Sequence, residues 1–402
     1  MKLVKSLALG GLALASIGTS FGALSPAGPY DIEVNITGST AFRTATHAGI
    51  QASLPGYQVA SNGTLPGASQ ATYTATVGGK KIIVRTSFSG SVGGLQALHG
   101  TGVAANFIDE TAATAGATNA TTVVSKLPNL AMADNSVAAA AQVDATLKND
   151  ATNYSSAQLG VIPFRFVSSP TSGLTNVTNC GFRAGILGVG VKDFFIQDTG
   201  AATPYDGTFV YFTGRNSDSG TRLVTFAVTG FGIGSLPYQF KVTVTGPYDS
   251  AGYKGTITAA APFAINVANG APNAGNDGES SGGTVAKVIT AVNYDTFVVK
   301  DETGADLGSG PFLTYLGESD SNAAIAHGAV ELLYNGVKFT ASNIKNGSYQ
   351  FWSYEYAFSK GVDSTFFTTL TNNIKANDLL SGYRLTDMKV SRTFEGLPVT
   401  PL

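Results

Sequence analysis

The chain has 402 residues, with 26 acidic and 24 basic side chains and a net charge of −2, which excludes the basic footprint of a nucleic-acid binder. Charged residues make up only 12% of it, against 49 glycines, where a typical domain is about one quarter charged. The surface is therefore polar through hydroxyls and amides, a composition that also suits surface-layer and filament proteins. A single cysteine, Cys180, excludes a disulfide framework and an N-terminal lipid-bearing cysteine.

Residues 1–22 read as a secretory signal: Lys2 and Lys5, an apolar run over 7–17 too short to span a bilayer, then small residues with cleavage placed near Gly22. Its removal leaves 22 basic against 26 acidic residues, a net charge of −4. The mature chain is expected to be periplasmic or secreted and not membrane-spanning. About 380 residues exceed what one core usually supports, so two lobes are expected.

In chain order, 31–37 alternates as a strand, Gly38-Ser39-Thr40 follows, and 42–54 is helical by pattern. The unit repeats at 81–86, then 87–94, then a helical 95–98. Residues 101–125 are Ala/Thr-rich without periodicity and read as an inserted loop. Residues 129–132 form a short strand ending at Asp134, and the Ala-rich run from Val137 to Leu147 is helical by propensity. A strand at 161–167 is interrupted by Pro163, near which the chain is expected to cross into the second lobe. A strand at 209–213 ends in Gly214-Arg215-Asn216-Ser217-Asp218-Ser219-Gly220-Thr221-Arg222. Residues 237–270 alternate as a hairpin insertion with a turn at Pro247-Tyr248-Asp249. A helix is expected around 285–289, strands at 312–316 and 328–334, and an aromatic strand at 348–358 returns toward the first lobe. Strands alternating with helices give an α/β class.

Four of these strand ends share one design, in which glycine with Ser, Thr or Asp precedes a helix. Each taken singly reads as a helix cap or turn, yet each also aims free N–H groups at the end of a strand, where an anion gains the partial charge of the helix ends. In open α/β sheets such carboxyl ends are where ligands sit.

In order and type these loops resemble those of the phosphate-binding proteins of bacterial phosphate ABC transporters, of the type 2 periplasmic-binding-protein class. Gly38-Ser39-Thr40-Ala41-Phe42 resembles the family's first anion loop and Gly90-Ser91-Val92-Gly93-Gly94 its second. Met132-Ala133-Asp134 stands where the ligand aspartate stands, and Arg215 with Ser219-Gly220-Thr221 resembles the arginine and Ser-Gly-Thr loop. Gly275-Asn276-Asp277-Gly278 and Gly347-Ser348-Tyr349 follow in the family's order. The resemblance spans about residues 31–358 and implies a two-lobed fold, each lobe a mixed sheet flanked by helices, with β-rich insertions. Lobe 1 would be 31–165 plus 340–402 and lobe 2 166–339, carrying the insertion 237–270.

The implied function is non-catalytic: an extracytoplasmic protein holding phosphate or a similar oxyanion between its lobes for delivery to an ABC transporter permease, without metal or other cofactor. Ser39, Thr40, Ser91, Ser219 and Thr221 would donate hydroxyls, the amides of Ala41, Gly220 and Thr221 would donate N–H groups, and Arg215 would supply the charge. Asp134, which accepts but cannot donate, would favour an anion that carries a proton over sulfate. Two departures stand out. The acid expected two residues after the arginine is Ser217 here, with Asp218 one position on, and Val92 replaces a serine. A structural or surface-layer protein reusing the same scaffold is the rival reading. His47, His99 and His327 lack metal-ligand spacing, Cys180 is expected to be buried, Glu318-Ser319-Asp320-Ser321-Asn322 lacks the ligand spacing of a calcium loop and reads as a solvated turn, and 351–356 reads as sheet packing.

Overall fold

A computed structural model describes residues 22–196 and 208–402. The expected export signal lies outside the described residues apart from Gly22. No described helix is long and apolar enough to cross a membrane.

The first half of the fold is built from β1 (Ile32–Gly38), α1 (Arg43–Ser53), β2 (Gln58–Ser61), β3 (Gln70–Val77), β4 (Lys80–Phe88) and α2 (Ser91–Leu98). It continues through β5 (Ala105–Ile108), β6 (Val123–Lys126), β7 (Leu130–Ala133) and α3 (Val137–Ala140). The 14-residue β8 (Ser155–Ser168) leads to α4 (Asn179–Gly185), β9 (Gly190–Val191), β10 (Phe209–Phe212) and α5 (Gly220–Val228). Then come β11 (Phe240–Thr245), β12 (Thr256–Pro262), α6 (Gly282–Val288), β13 (Phe312–Gly317), α7 (Glu318–Ala326) and β14 (Val330–Glu331). The chain closes with α8 (Ala341–Lys345), β15 (Trp352–Ser359) and α9 (Ser364–Ala376).

One 11-stranded mixed sheet runs in the order β9-β10-β13-β8-β15-β7-β1-β4-β3-β2, with β14 also on β8. It is flanked by helices, an α/β fold with β-rich insertions as the sequence predicts. β8 is the shared strand. Its residues 155–163 pair antiparallel with β15, and its residues 164–168 pair antiparallel with β13. Pro163 stands at this change of partner, where β8 continues through it unbroken, contrary to the interruption expected from the sequence; a proline costs a strand least where the ladder changes hands. β7 runs toward this point from one side, because Ala133 lies opposite Tyr356, and β13 runs toward it from the other, because Gly317 lies opposite Phe164. β1 and β4 are parallel to β7, and β10 is parallel to β13. Two sets of strands therefore point their carboxyl ends at each other across the middle of β8.

A large apolar cluster runs from Ile36 and Val84 through Phe164 and Trp352 to Phe212 and Phe226. A second, under β13, is closed by the β11–β12 hairpin through Phe240, Val242 and Ile257. The insertion expected at 237–270 is thus a lid on a core, with Tyr211 and Phe240 edge to face at 5.1 Å.

Two local readings are corrected. The run 101–125 is not all loop: β5 and β6 pair antiparallel at its ends and bury Ile108 beside Leu24, Ala60 and Ala113. The Ala-rich run from Val137 is helical for four residues only, then turns into a 3₁₀ stretch (Ala145–Thr152) capped by Asp144. There Asp144 and Asp150 exchange helical continuity for bonds to Gln96 and His99, so tertiary contact overrides propensity.

Candidate functional site

Gly38 ends β1 with φ +107°, and a methyl there would lie 2.0 Å from the Met132 carbonyl oxygen. Only glycine lets β1 turn this close to β7, and the turn delivers Ser39, Thr40 and Ala41 beside Asp134. All of Ser39, Thr40, Ser91, Asp134, Arg215, Ser219 and Thr221 are buried, at most 5% exposed. The Ser39 hydroxyl donates to Asp134 Oδ1, and its Oγ accepts from the Ala41 amide at 3.1 Å. Ser91 Oγ accepts the Asp134 amide at 3.1 Å, which positions the carboxylate.

The facing half completes the group. Thr221 Oγ1 donates to Asp134 Oδ2 at 3.3 Å, and Arg215 NH1 donates to Thr40 Oγ1 at 3.3 Å. The approach is tight: a methyl added at Gly220 would lie 2.4 Å from Ser91 Oγ. Ser219 caps α5, its Oγ accepting the Arg222 amide at 3.3 Å. The residues expected from the sequence are therefore gathered from both halves, but they differ in what they touch. Ser39 and Thr221 reach Asp134, Thr40 reaches Arg215, and Ser91 and Ser219 brace backbone.

Six of the nine α-helices among the described residues begin on a Ser, Thr or Asp side-chain cap. α1, α2 and α7 do not, and these three start at strand ends that face the site. The α2 start is filled instead from the other half, where the Asp218 carbonyl accepts from Val92 N at 2.9 Å and from Gly93 N at 3.3 Å.

Arg215 is 2% exposed, and burial pushes its guanidinium pKa down, while the charges of Asp320 and Asp134 push it up. Nε donates to the Glu279 carbonyl at 3.0 Å and NH2 to the Ser280 carbonyl at 2.8 Å. Among the described residues it makes no ion pair with a carboxylate. Asp218, where the acid stands one position later than in the family's pattern, does not pair with it: its carboxyl accepts from Asn216 Nδ2 at 3.5 Å, and its contribution to the site is the backbone carbonyl on α2. Arg222 and Arg392 are also buried and held by neutral oxygens, but Arg222 is forked on Asn276 at 2.7 Å twice and Arg392 on the Trp352 and Gln350 carbonyls. The Gly275-Asn276-Asp277-Gly278 turn thereby braces the Arg215 loop from behind, helped by Gln239, which donates to the Arg215 carbonyl at 3.1 Å.

Three charged residues at the site were missed by sequence reasoning. Asp320 lies in the first turn of α7, not in a solvated turn; its Oδ1 is 3.7 Å from Arg43 NH2, and burial holds its pKa up although Arg43 and Arg215 oppose that. Arg43 opens α1. Glu355 lies in β15, fully buried; it is the one acid in the aromatic run 348–359, a signal that could have been read. Cys180, expected to be buried, is exposed on α4. His47 is buried between Tyr73 and the Ala68 carbonyl, and burial lowers its pKa to about 4. No group of acids, histidines and cysteine that could hold a metal occurs among the described residues.

No protein-family model and no curated protein matches the chain. Among solved structures it is similar to a putative phosphate ABC transporter substrate-binding protein with bound phosphate from Clostridium perfringens, 12% identical, covering 86% of this chain and 97% of that one with a TM-score of 0.42. It is also similar to an ABC-type phosphate transport receptor from Vibrio cholerae, 11% identical over 88% and 99%, TM-score 0.42. PstS from Borrelia burgdorferi is 12% identical over 88% and 98%, TM-score 0.38.

Proposed function

We propose that the chain is a non-catalytic, extracytoplasmic solute-binding protein whose two halves are lobes that close on a small oxyanion, phosphate or one like it. The observation that carries this reading is Arg215: a buried cation without a paired carboxylate, set among serine and threonine hydroxyls where strand ends from both halves converge. Asp320 and Asp134 act on it only through space; a buried charge with no hydrogen-bonded counter-charge is costly, and an oxyanion between Arg215, Thr40, Ser39 and the α5 start supplies one. Asp134 sets the kind of anion, since a carboxylate accepts a proton-bearing oxygen and repels a bare one. The residues proposed to hold it are Ser39, Thr40, Ala41, Ser91, Asp134, Arg215, Ser219, Gly220 and Thr221, and delivery would be to an ABC transporter permease.

A titration of the native protein with phosphate, arsenate and sulfate, read by calorimetry and thermal shift, tests this. Phosphate is expected to raise Tm in proportion to ln(1 + [L]/Kd), with sulfate inert; no shift with any oxyanion ends the reading. A second reading, a structural scaffold with a permanently closed site, is favoured by one observation: Asp218 and Thr221 already satisfy α2 and Asp134 across the halves. Ordered self-association in native mass spectrometry without any oxyanion response would establish it.

A further inference from the structure

β15 runs antiparallel to β7 with Tyr356 opposite Ala133, so one step along the ladder Glu355 comes opposite Asp134. On its other side Glu355 stands opposite Gly160 of β8. It is 0% exposed, and its carboxyl lies within hydrogen-bonding reach of Asp134. Yet among the described residues no N–H or O–H donor reaches either of its oxygens. Acceptor therefore faces acceptor, and the contact becomes a hydrogen bond only with a proton in between.

The surrounding charges do not relieve this. Asp134 is the charged group that acts on Glu355 from β7. Across β8, a methyl at Gly160 would lie 3.3 Å from Asp378, another buried acid, which has Arg384 at 3.6 Å. Arg215 and Asp320 act on each other and Asp134 on Arg215, but neither Arg215 nor Asp320 is among the charges that act on Glu355. Burial first, and then the Asp134 charge, hold the Glu355 carboxyl well above the usual range.

We infer that Asp134 and Glu355 share a single proton, and that Glu355 is the specificity-determining residue behind the site. Its O–H donates to Asp134 and keeps the pair at one negative charge. The inference rests on the oxyanion reading of the site. With Ser39, Thr221 and Glu355 all donating to it, Asp134 stays an acceptor and takes its remaining bond from a proton on the incoming anion. When Glu355 loses its proton the pair carries two charges against an anion, and binding is lost. Glu355 is thus a positioning residue: it touches Asp134 and acts on the ligand through it.

The test is phosphate calorimetry on the full chain from about pH 6 to about pH 10, with wild type beside Glu355→Gln, whose amide donates to Asp134 but cannot ionise. Wild type is expected to lose tenfold or more in affinity over the upper part of the range, while Glu355→Gln holds within about twofold. Parallel loss in both overturns the inference. The carboxylic-acid C=O stretch in the infrared spectrum is the second readout, expected in wild type near neutral pH and diminished in Glu355→Gln; Glu355→Met, apolar and of similar length, is expected to diminish it equally. The two failures are separable. A wild type that shows this band but binds no phosphate, arsenate or sulfate ends the oxyanion reading and leaves the shared proton standing. One that binds phosphate without the band keeps the function and ends the pair.

Discussion

Two buried arginines of this protein meet opposite fates. Arg85, 1% exposed in β4, is forked by Glu110 at 2.6 and 3.0 Å and by Glu33 at 2.6 Å, with Asn35 adding a bond at 3.0 Å. Arg215, 2% exposed beyond β10, holds two backbone carbonyls and the Thr40 hydroxyl. The first is a closed electrostatic account within one half of the fold. The second is left with a charge to spend where the two halves meet. Burial alone does not separate the two arginines; the presence or absence of a paired acid does.

The largest expected effect comes from breaking the closed member. Arg85→Ala leaves Glu33 and Glu110 facing each other at a partly buried site and is expected to lower stability by about 3 to 5 kcal/mol, read as a shift of the denaturation midpoint at unchanged m-value. Arg215→Met does the reverse. Stability is expected to hold or rise, while phosphate affinity falls roughly 10- to 100-fold, the worth of a charge-assisted bond; calorimetry beside thermal unfolding separates the two. A loss of stability as large as that of Arg85→Ala would show that Arg215 is structural after all.

Next in size is the approach of the halves. Gly220→Ala puts a methyl against Ser91 Oγ and is expected to cost about 1 to 3 kcal/mol of the closed form, seen as weaker binding with little change in the unfolding of either half. Asp134→Asn removes the acceptor that rejects a bare anion, and sulfate binding is expected to rise by about tenfold or more. Unchanged rejection of sulfate would detach selectivity from Asp134.

A last effect sharpens the contrast through pH. The folded pKa of Glu355 is raised, so between the unfolded value near 4.5 and the folded one the native state binds more protons than the unfolded chain. Stability then falls as pH rises through that window. Glu355→Gln lacks this slope, and its stability relative to wild type is expected to increase from acid to alkaline pH. Equal slopes in denaturant midpoints at both ends of the range would remove Glu355 as the cause.

How much of this was legible in the chain follows from the range of each interaction. Gly38-Ser39-Thr40, Ser91, Asp134 and Ser219-Gly220-Thr221 are local devices, a strand end followed by a helix start, and their chemistry shows within a few residues. That the acid beside Arg215 has moved from position 217 to Asp218 shows in the chain, but which oxygens Arg215 then holds, the Glu279 and Ser280 carbonyls, does not, because they come from 64 and 65 residues away. Asp320 looked solvated because nothing local says that α7 begins where Arg43 and Arg215 converge. The Ala-rich run after Val137 followed its propensity for one turn and then yielded to Asp144 and Asp150, which bond across to Gln96 and His99.

The sequence by itself determined the α/β alternation, a hairpin within 237–270 and the loops that carry hydroxyls and a carboxylate, because periodicity, turns and caps are short-range. Only the tertiary structure decided which charges face each other. Pro163 lies where β8 changes partners, so the carboxyl ends of two sets of strands meet there. One ladder register sets Glu355 against Asp134, and one helix start sets Asp320 beside Arg43. Charge pairing depends on distance through the fold, and residues 221 positions apart in the chain, as Asp134 and Glu355 are, have no local pattern that announces it.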